Sequence, residues 1–190
     1  MMLWDEFLAA VRGSWALLRG DRRAPACFDF TRGGLYGSFI GLLIAVTLNG
    51  LLPALLGLKS APLAMALITV AITYGAQMAF SAMALRQMHR LDGFLPYVVA
   101  ENWTTVVLVL VAAAGMLAGA PAEMVLIVIG IAGIVIKVNI ARLIVTLSPW
   151  QIAILIVAQL AGGAVGLLVV GMTLPLPPEA MEAAAAASAG

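Results

Sequence analysis

Five long apolar runs constrain the fold of this chain more than any other feature of its sequence. They cover residues 34–58, 62–85, 94–119, 122–147 and 150–174. Each is close to the roughly 20 residues that a helix needs to cross about 30 Å of hydrocarbon. Short polar or proline-containing breaks separate the runs, so we expect consecutive spans to be antiparallel neighbours. The sequence therefore predicts an all-α integral membrane protein with about five transmembrane helices.

The composition agrees with lipid as the solvent. Of the 190 residues, 64% are hydrophobic and 10% are charged, whereas soluble domains average about 45–50% apolar and about 25% charged residues. The net charge of +1 does not supply the broad basic face of a nucleic-acid-binding protein, so we expect no nucleic-acid partner. Cys27 is the single cysteine and has no metal-ligating neighbour in sequence, so we expect no disulfide, metal site or cofactor.

Three segments follow from this pattern. Residues 1–32 form a predicted cytoplasmic segment, residues 33–174 the five-helix membrane domain, and residues 175–190 a flexible external tail. A cleaved signal peptide would begin with a basic stretch and a short apolar run. The early Asp5 and Glu6 argue against it.

Residues 2–19 predict an amphipathic helix that precedes the spans. Large apolar side chains recur there at spacings of three and four, which places them on one helical face: Trp4, Phe7, Leu8, Val11, Trp15 and Leu18. Asp5, Glu6, Arg12 and Arg19 fall elsewhere around the helix. Because tryptophan suits the headgroup boundary, we predict an interfacial helix with Trp4, Phe7 and Trp15 at the membrane surface. The alternative is that the apolar face packs on the protein's own bundle.

Basic residues predict the orientation. Eight arginines share one side of the membrane if the spans alternate: Arg12, Arg19, Arg22, Arg23, Arg32, Arg86, Arg90 and Arg142. Lys59 alone lies in a loop on the other side. The positive-inside rule then places the N-terminus in the cytoplasm and the C-terminus outside, with a bacterial inner membrane as the expected location. Arg86, His89 and Arg90 are expected to anchor a loop at anionic headgroups.

Ionisable residues inside a span are the main candidates for function. Glu101 lies about 10 Å into the third span, and the fourth span carries Arg142 about 8 Å deep and Lys137 near the membrane centre. Two cations thus bracket Glu101 in depth, which predicts an ion pair whose partner stays open. The pair would pin the two helices together, or it would serve a polar ligand, a lipid headgroup, a proton or a second subunit. Asn102 follows Glu101, and Asn139 is predicted to share a face with Arg142. The two asparagines therefore join the three charged residues in the candidate binding set.

Two further patterns concern packing and helix ends. Glycine pairs four residues apart allow close helix approach, within the chain in preference to a dimer: Gly37 and Gly41, Gly115 and Gly119, Gly162 and Gly166. Gln77 and Gln159 are expected to form hydrogen bonds between helices. A capped helix start is predicted from Ser148, Pro149 and Gln151. Trp150, within this stretch, is a further residue predicted at the membrane interface.

The end of the fourth span reads Val138-Asn139-Ile140-Ala141-Arg142 and leads into Leu147-Ser148-Pro149-Trp150. Together with the five-span layout and short loops, this stretch resembles the Yip family of membrane proteins over about residues 30–174. Eukaryotic members of that family bind small GTPases and shape secretory membranes. The N-terminal segment here is much shorter than theirs, so neither a GTPase partner nor any functional residue is carried over.

Nothing in the sequence indicates catalysis: we find no nucleophile–base pair and no phosphate-binding or metalloprotease motif. The favoured interpretation is a non-enzymatic protein, either a Yip-like membrane organiser or an accessory subunit of a larger membrane complex. Its expected partners are the lipid bilayer and other membrane-protein subunits. The alternative is a small transporter or channel element that uses Glu101, Lys137 and Arg142.

Overall fold

The computed structural model describes residues 3–55, 57 and 62–173, and this part of the chain is helical without any strand. The loop with Lys59 and the predicted tail 175–190 lie outside the described residues. The α-helices are α1 (Leu3–Leu18), α2 (Arg32–Leu55), α3 (Leu63–Gln87), α4 (Phe94–Leu117), α5 (Ala122–Asn139) and α6 (Pro149–Thr173). Two 3₁₀ turns, Ala24–Cys27 and Leu91–Gly93, precede α2 and α4, and a π-helical turn, Ile140–Ile144, extends α5.

Helices α2 to α6 are each long and apolar enough to cross a membrane, α5 together with its π turn. The predicted all-α, five-span fold is therefore confirmed, with helix ends within a few residues of the predicted ones. The helices alternate in direction. We call the end of the bundle that carries α1 the α1 end; α2, α4 and α6 begin there, and α3 and α5 finish there.

The closest helix pairs are not consecutive in the chain. Helix α3 packs most extensively on α6, and α2 packs on α4, to which it is parallel. Consecutive spans are neighbours, as expected, for α2 with α3, α3 with α4 and α4 with α5, but these contacts are less extensive. A short loop fixes only the direction of the next helix, whereas the packing partner depends on which surfaces allow backbones to approach.

Glycine determines these close approaches. A Cβ on Gly162 would lie 2.8 Å from the Cα of Gln77, and one on Gly166 would lie 2.7 Å from the Cα of Thr73. Both contacts join α6 directly to the α3 backbone. A Cβ on Gly41 would lie 2.9 Å from the Trp103 ring, which joins α2 to α4. These glycines therefore serve packing within one chain, as predicted.

The tightest part of the core lies toward the α1 end. Side chains there that are almost completely enclosed include Leu17, Leu85, Tyr97, Val99, Ile140 and Val145. The outward faces of the spans carry exposed apolar side chains instead, as on α5 with Leu126, Ile127 and Ile131. An outward apolar face is the pattern of a helix bundle that lipid surrounds.

Candidate functional site

An ion pair joins α4 to α5 inside the membrane domain. The Nζ of Lys137 donates to Oε1 of Glu101, which identifies Lys137 as the partner of Glu101. Glu101 is only 5% exposed, and its Oε2 is buried with no hydrogen-bond partner among the described residues. The Lys137 side chain retains 38% of its accessible surface. The carboxylate of Glu101 is therefore enclosed, and the side chain of Lys137 reaches the surface of the bundle.

Arg142 does not take part in this pair. It lies exposed in the π-helical turn, whereas Asn139 is buried just before the turn. The prediction that these two residues share a face is wrong, because a π turn winds more residues into each revolution than an α-helix does. The three-residue set of Glu101, Lys137 and Arg142 is not brought together.

Asn102 faces away from the ion pair and connects three helices. Its Oδ1 accepts a hydrogen bond of 2.6 Å from the Tyr74 hydroxyl on α3, and its Nδ2 donates to the Ser38 hydroxyl on α2 at 3.0 Å. The residue is 1% exposed. Because both polar atoms of its amide are hydrogen-bonded in the core, Asn102 acts as a packing residue of α2, α3 and α4.

Asn139 holds the C-terminal end of α1. Its Nδ2 donates to the Leu17 carbonyl at 2.8 Å, and the side chain is only 9% exposed. The same carbonyl accepts from the Gly20 backbone N–H at 3.0 Å, so Asn139 adds a second donor at this helix end. The candidate set predicted from sequence thus separates into one ion pair, two structural amides and one exposed arginine.

Helix α1 packs on the bundle through its small side chains. Ala9, Ala10, Gly13 and Ser14 are buried together with Leu17 and Glu6. The large apolar row points outward, with Trp4 exposed by 64% and Trp15 by 55%. The alternative that this face packs on the protein is supported only by Phe7 and Leu18, which are half-buried against the core.

Two residues of α1 depart from the predicted pattern. Phe7, predicted at the interface, is half-buried and lies with its ring centroid 6.5 Å from that of Trp103 on α4. Glu6, expected on the polar side, is 9% exposed and lies against Gly37, where a Cβ would come within 2.3 Å of Oε2. Burial, together with the negative charge of Asp29, raises the pKa of Glu6.

The remaining predicted interface residue, Trp150, is 75% exposed at the start of α6. The capped start predicted there is present: Gln151 Oε1 accepts from the Ser148 backbone N–H at 2.9 Å, and the Ser148 hydroxyl accepts from the Gln151 N–H at 3.4 Å. Three predicted interface tryptophans therefore have rings open to the surroundings, all at the α1 end.

Arg90 joins two loops at the α1 end. Its guanidinium donates to the carbonyls of Val145 and Thr146 and to the Thr146 hydroxyl, the last at 2.7 Å. Thr146 has a φ of +59°, which is strained for a β-branched residue. Arg90 thus caps the π turn in addition to its predicted place at the headgroups.

A mostly apolar cleft with a few polar side chains opens between α3, α5 and α6 next to the ion pair. It encloses about 290 Å³, and Lys137, Gln77 and Gln159 are its polar lining residues. Behind it, Gln159 Nε2 donates to the Tyr97 hydroxyl, which also contacts Ser81. Sequence reasoning singled out the two glutamines only as interhelical amides. Their equal depth, ten residues from the α1 end of α3 and of α6, was the signal that could have placed them together.

No group of three or more potential metal ligands lies together in the residues that the structure covers. No family model, curated protein or solved structure matches this chain. The fold, the pair and the cleft are therefore interpreted from their own geometry.

Proposed function

We propose that this chain is a non-enzymatic membrane organiser that inserts α1 into the cytoplasmic leaflet as a wedge. The observation that supports it is the two-sided construction of α1. Its small side chains pack on the bundle, and its outward row of Trp4, Leu8, Val11 and Trp15 remains exposed. A helix that displaces headgroups on one side of a bilayer favours curvature there. A Yip-like role in shaping membranes agrees with this construction.

The depth of α1 supports the same proposal. Gly37, which contacts Glu6, is five residues from the start of α2, and Trp103, which contacts Phe7, is nine residues from the start of α4. At 1.5 Å per residue these contacts lie about 8 and 14 Å from the helix ends. This depth corresponds to the boundary between headgroups and acyl chains and to the part of the chains just below it.

The charge distribution supports a cytoplasmic α1 end. All eight arginines lie at that end, and Arg19 covers the Trp15 ring at 4.6 Å. An exposed arginine near an anionic leaflet contributes about 1 kcal/mol of binding. Single cysteines in a Cys27→Ser background test this orientation: Asp21→Cys should resist an impermeant thiol reagent in intact cells, and Glu123→Cys should react. The opposite labelling pattern would reverse the assigned orientation.

Reconstitution into vesicles of phosphatidylethanolamine and phosphatidylglycerol tests the organiser role. We expect the purified chain to reduce vesicle diameter or to form tubules in electron cryomicroscopy images. The double variant Trp4→Ser/Trp15→Ser should lose this effect. Trp150→Ser, which removes an even more exposed tryptophan outside α1, should keep it. Equal remodelling by both variants would contradict the wedge. A stoichiometric protein partner in mild detergent, with no remodelling, would replace the organiser by an accessory subunit.

A further inference from the structure

The cleft between α3, α5 and α6 combines polar and apolar walls in a fixed order. Depth is measured here along each helix from the α1 end of the bundle. Lys137 lies seven residues from Ile144, the end of the π turn, and is therefore about 10 Å deep, whereas Gln77 and Gln159 are about 15 Å deep. Ile129 marks the other extreme, about 22 Å deep by the same rise. The polar groups therefore occupy one half of the cleft, and the apolar groups continue toward the far side of the bilayer.

The polar groups of the cleft retain unused hydrogen-bonding capacity. The ammonium group of Lys137 has three donors, and the structure uses one of them, toward Glu101. Gln77 makes no side-chain hydrogen bond within the described residues, and Gln159 uses its amide nitrogen toward Tyr97. Polar groups left without partners next to hydrocarbon are costly. Each glutamine amide offers both a donor and an acceptor, but the ammonium group of Lys137 offers donors alone, so an acceptor is the occupant that complements it.

The apolar half of the cleft is open enough for a flat or linear group. An added Cβ on Gly130 would meet nothing within 4 Å, and one on Gly133 would meet only the Leu108 side chain at 3.7 Å. Glycine thus leaves a shallow surface on α5 between Ile129 and Ile134. A ligand that enters sideways from the lipid could lie along it.

We propose that this cleft binds a membrane-soluble lipid whose head carries a carbonyl or carboxyl acceptor. The head accepts from Lys137 and Gln77, and the apolar part lies along Gly130 and Gly133. Two kinds of lipid carry this chemistry at such a depth, namely a lipid quinone and a protonated fatty acid. The site is independent of α1, so it stands or falls separately from the organiser role.

Equilibrium binding of tritiated probes to the purified full chain in detergent tests the proposal. The probes are decylubiquinone and oleic acid, with hexadecane as a chain without an acceptor. We expect at least one of the two acceptor probes to bind saturably, at one equivalent per chain, and hexadecane to fail as a competitor. Saturation by decylubiquinone alone identifies a quinone site, and saturation by oleic acid alone identifies a fatty-acid site.

Two variants locate the bound probe. Gln77→Leu, which removes one hydrogen bond, should weaken binding about fivefold. Gly130→Leu, which fills the cleft and keeps every polar group, should weaken it more than tenfold. Gly75→Leu is the matched control, because a Cβ there also meets nothing within 4 Å and the residue is outside the cleft. Full competition by hexadecane, no saturable binding, or binding that Gly130→Leu leaves unchanged would overturn the proposal.

Discussion

The substitution Lys137→Met isolates the ion pair between α4 and α5. Glu101 is only 5% exposed, and one of its carboxylate oxygens already lacks a hydrogen-bond partner among the described residues. The substitution also removes its only ion-pair partner in the described structure. Breaking a buried pair in this way costs about 3–5 kcal/mol. Protonating an ordinary glutamate at pH 7 costs about 4 kcal/mol. Because this cost is as large as that of the unpaired charge, taking up a proton would not rescue the variant. We expect a loss of unfolding free energy in that range.

The converse substitution, Glu101→Gln, should cost less. The side chain of Lys137 keeps 38% of its accessible surface on the cleft, so an unpaired ammonium can turn outward along its flexible stem. We expect a loss of about 1–3 kcal/mol, the penalty of an unsatisfied polar group. The larger loss of unfolding free energy from Lys137→Met than from Glu101→Gln follows from the unequal exposure of the two side chains in this structure.

Reversible unfolding in mixed detergent micelles, followed by circular dichroism, measures these losses. The double variant Glu101→Gln/Lys137→Met should be more stable than Lys137→Met alone, since no lone charge remains. Arg142→Met is the control, and its exposed position predicts a change within about 0.5 kcal/mol. Strictly additive losses, or an equal loss from Arg142→Met, would refute the reasoning.

Three further predictions concern the packing of α1, the α3–α6 pair and the loops. The raised pKa of Glu6 means that α1 packs best below about pH 4.5 and loses contact stability as the pH rises through the raised value. Glu6→Gln should remove this pH dependence from the protection factors of the α1 amides, which are exchange rates corrected for the intrinsic rate at each pH. Gly166→Leu should separate α3 from α6 and cost about 3 kcal/mol by detergent unfolding, because its Cβ alone would lie 2.7 Å from the Thr73 Cα. Gly75→Leu should be close to neutral. Arg90→Met should cost about 1–3 kcal/mol by the same assay, because the carbonyls of Val145 and Thr146, which directly follow the π turn, lose their donor. A loss below about 0.5 kcal/mol would remove Arg90 from that role.

The sequence predicts the spans well because the length of an apolar run has one physical cause, the thickness of the hydrocarbon core. Depth matching also predicts that Glu101 has a cation on the next helix. It does not choose between Lys137 and Arg142, since the choice depends on rotation about the α5 axis. The π turn changes that rotation between the two residues, and Arg90, which stabilises it, lies far away in the sequence.

The packing face of α1 escaped sequence reasoning for a different reason. Large apolar side chains mark the exposed face, while the face that contacts the bundle carries Ala9, Ala10 and Gly13, which allow close approach. Hydropathy ranks these small residues low, although their shape determines the contact. Glu6 is buried for the same reason, because Gly37 leaves room for its carboxylate.

Depth-dependent quenching of Trp15 tests the central claim that the outward row of α1 lies in the membrane surface. The chain would carry Trp15 as its single tryptophan, with Trp4, Trp103 and Trp150 replaced by phenylalanine, in vesicles whose lipids are brominated at different points along the acyl chain. We predict the strongest quenching by bromines nearest the headgroup, as expected for a ring about 5–10 Å below the surface. No quenching by any brominated lipid, or the strongest quenching by bromines at the chain end, would contradict the account.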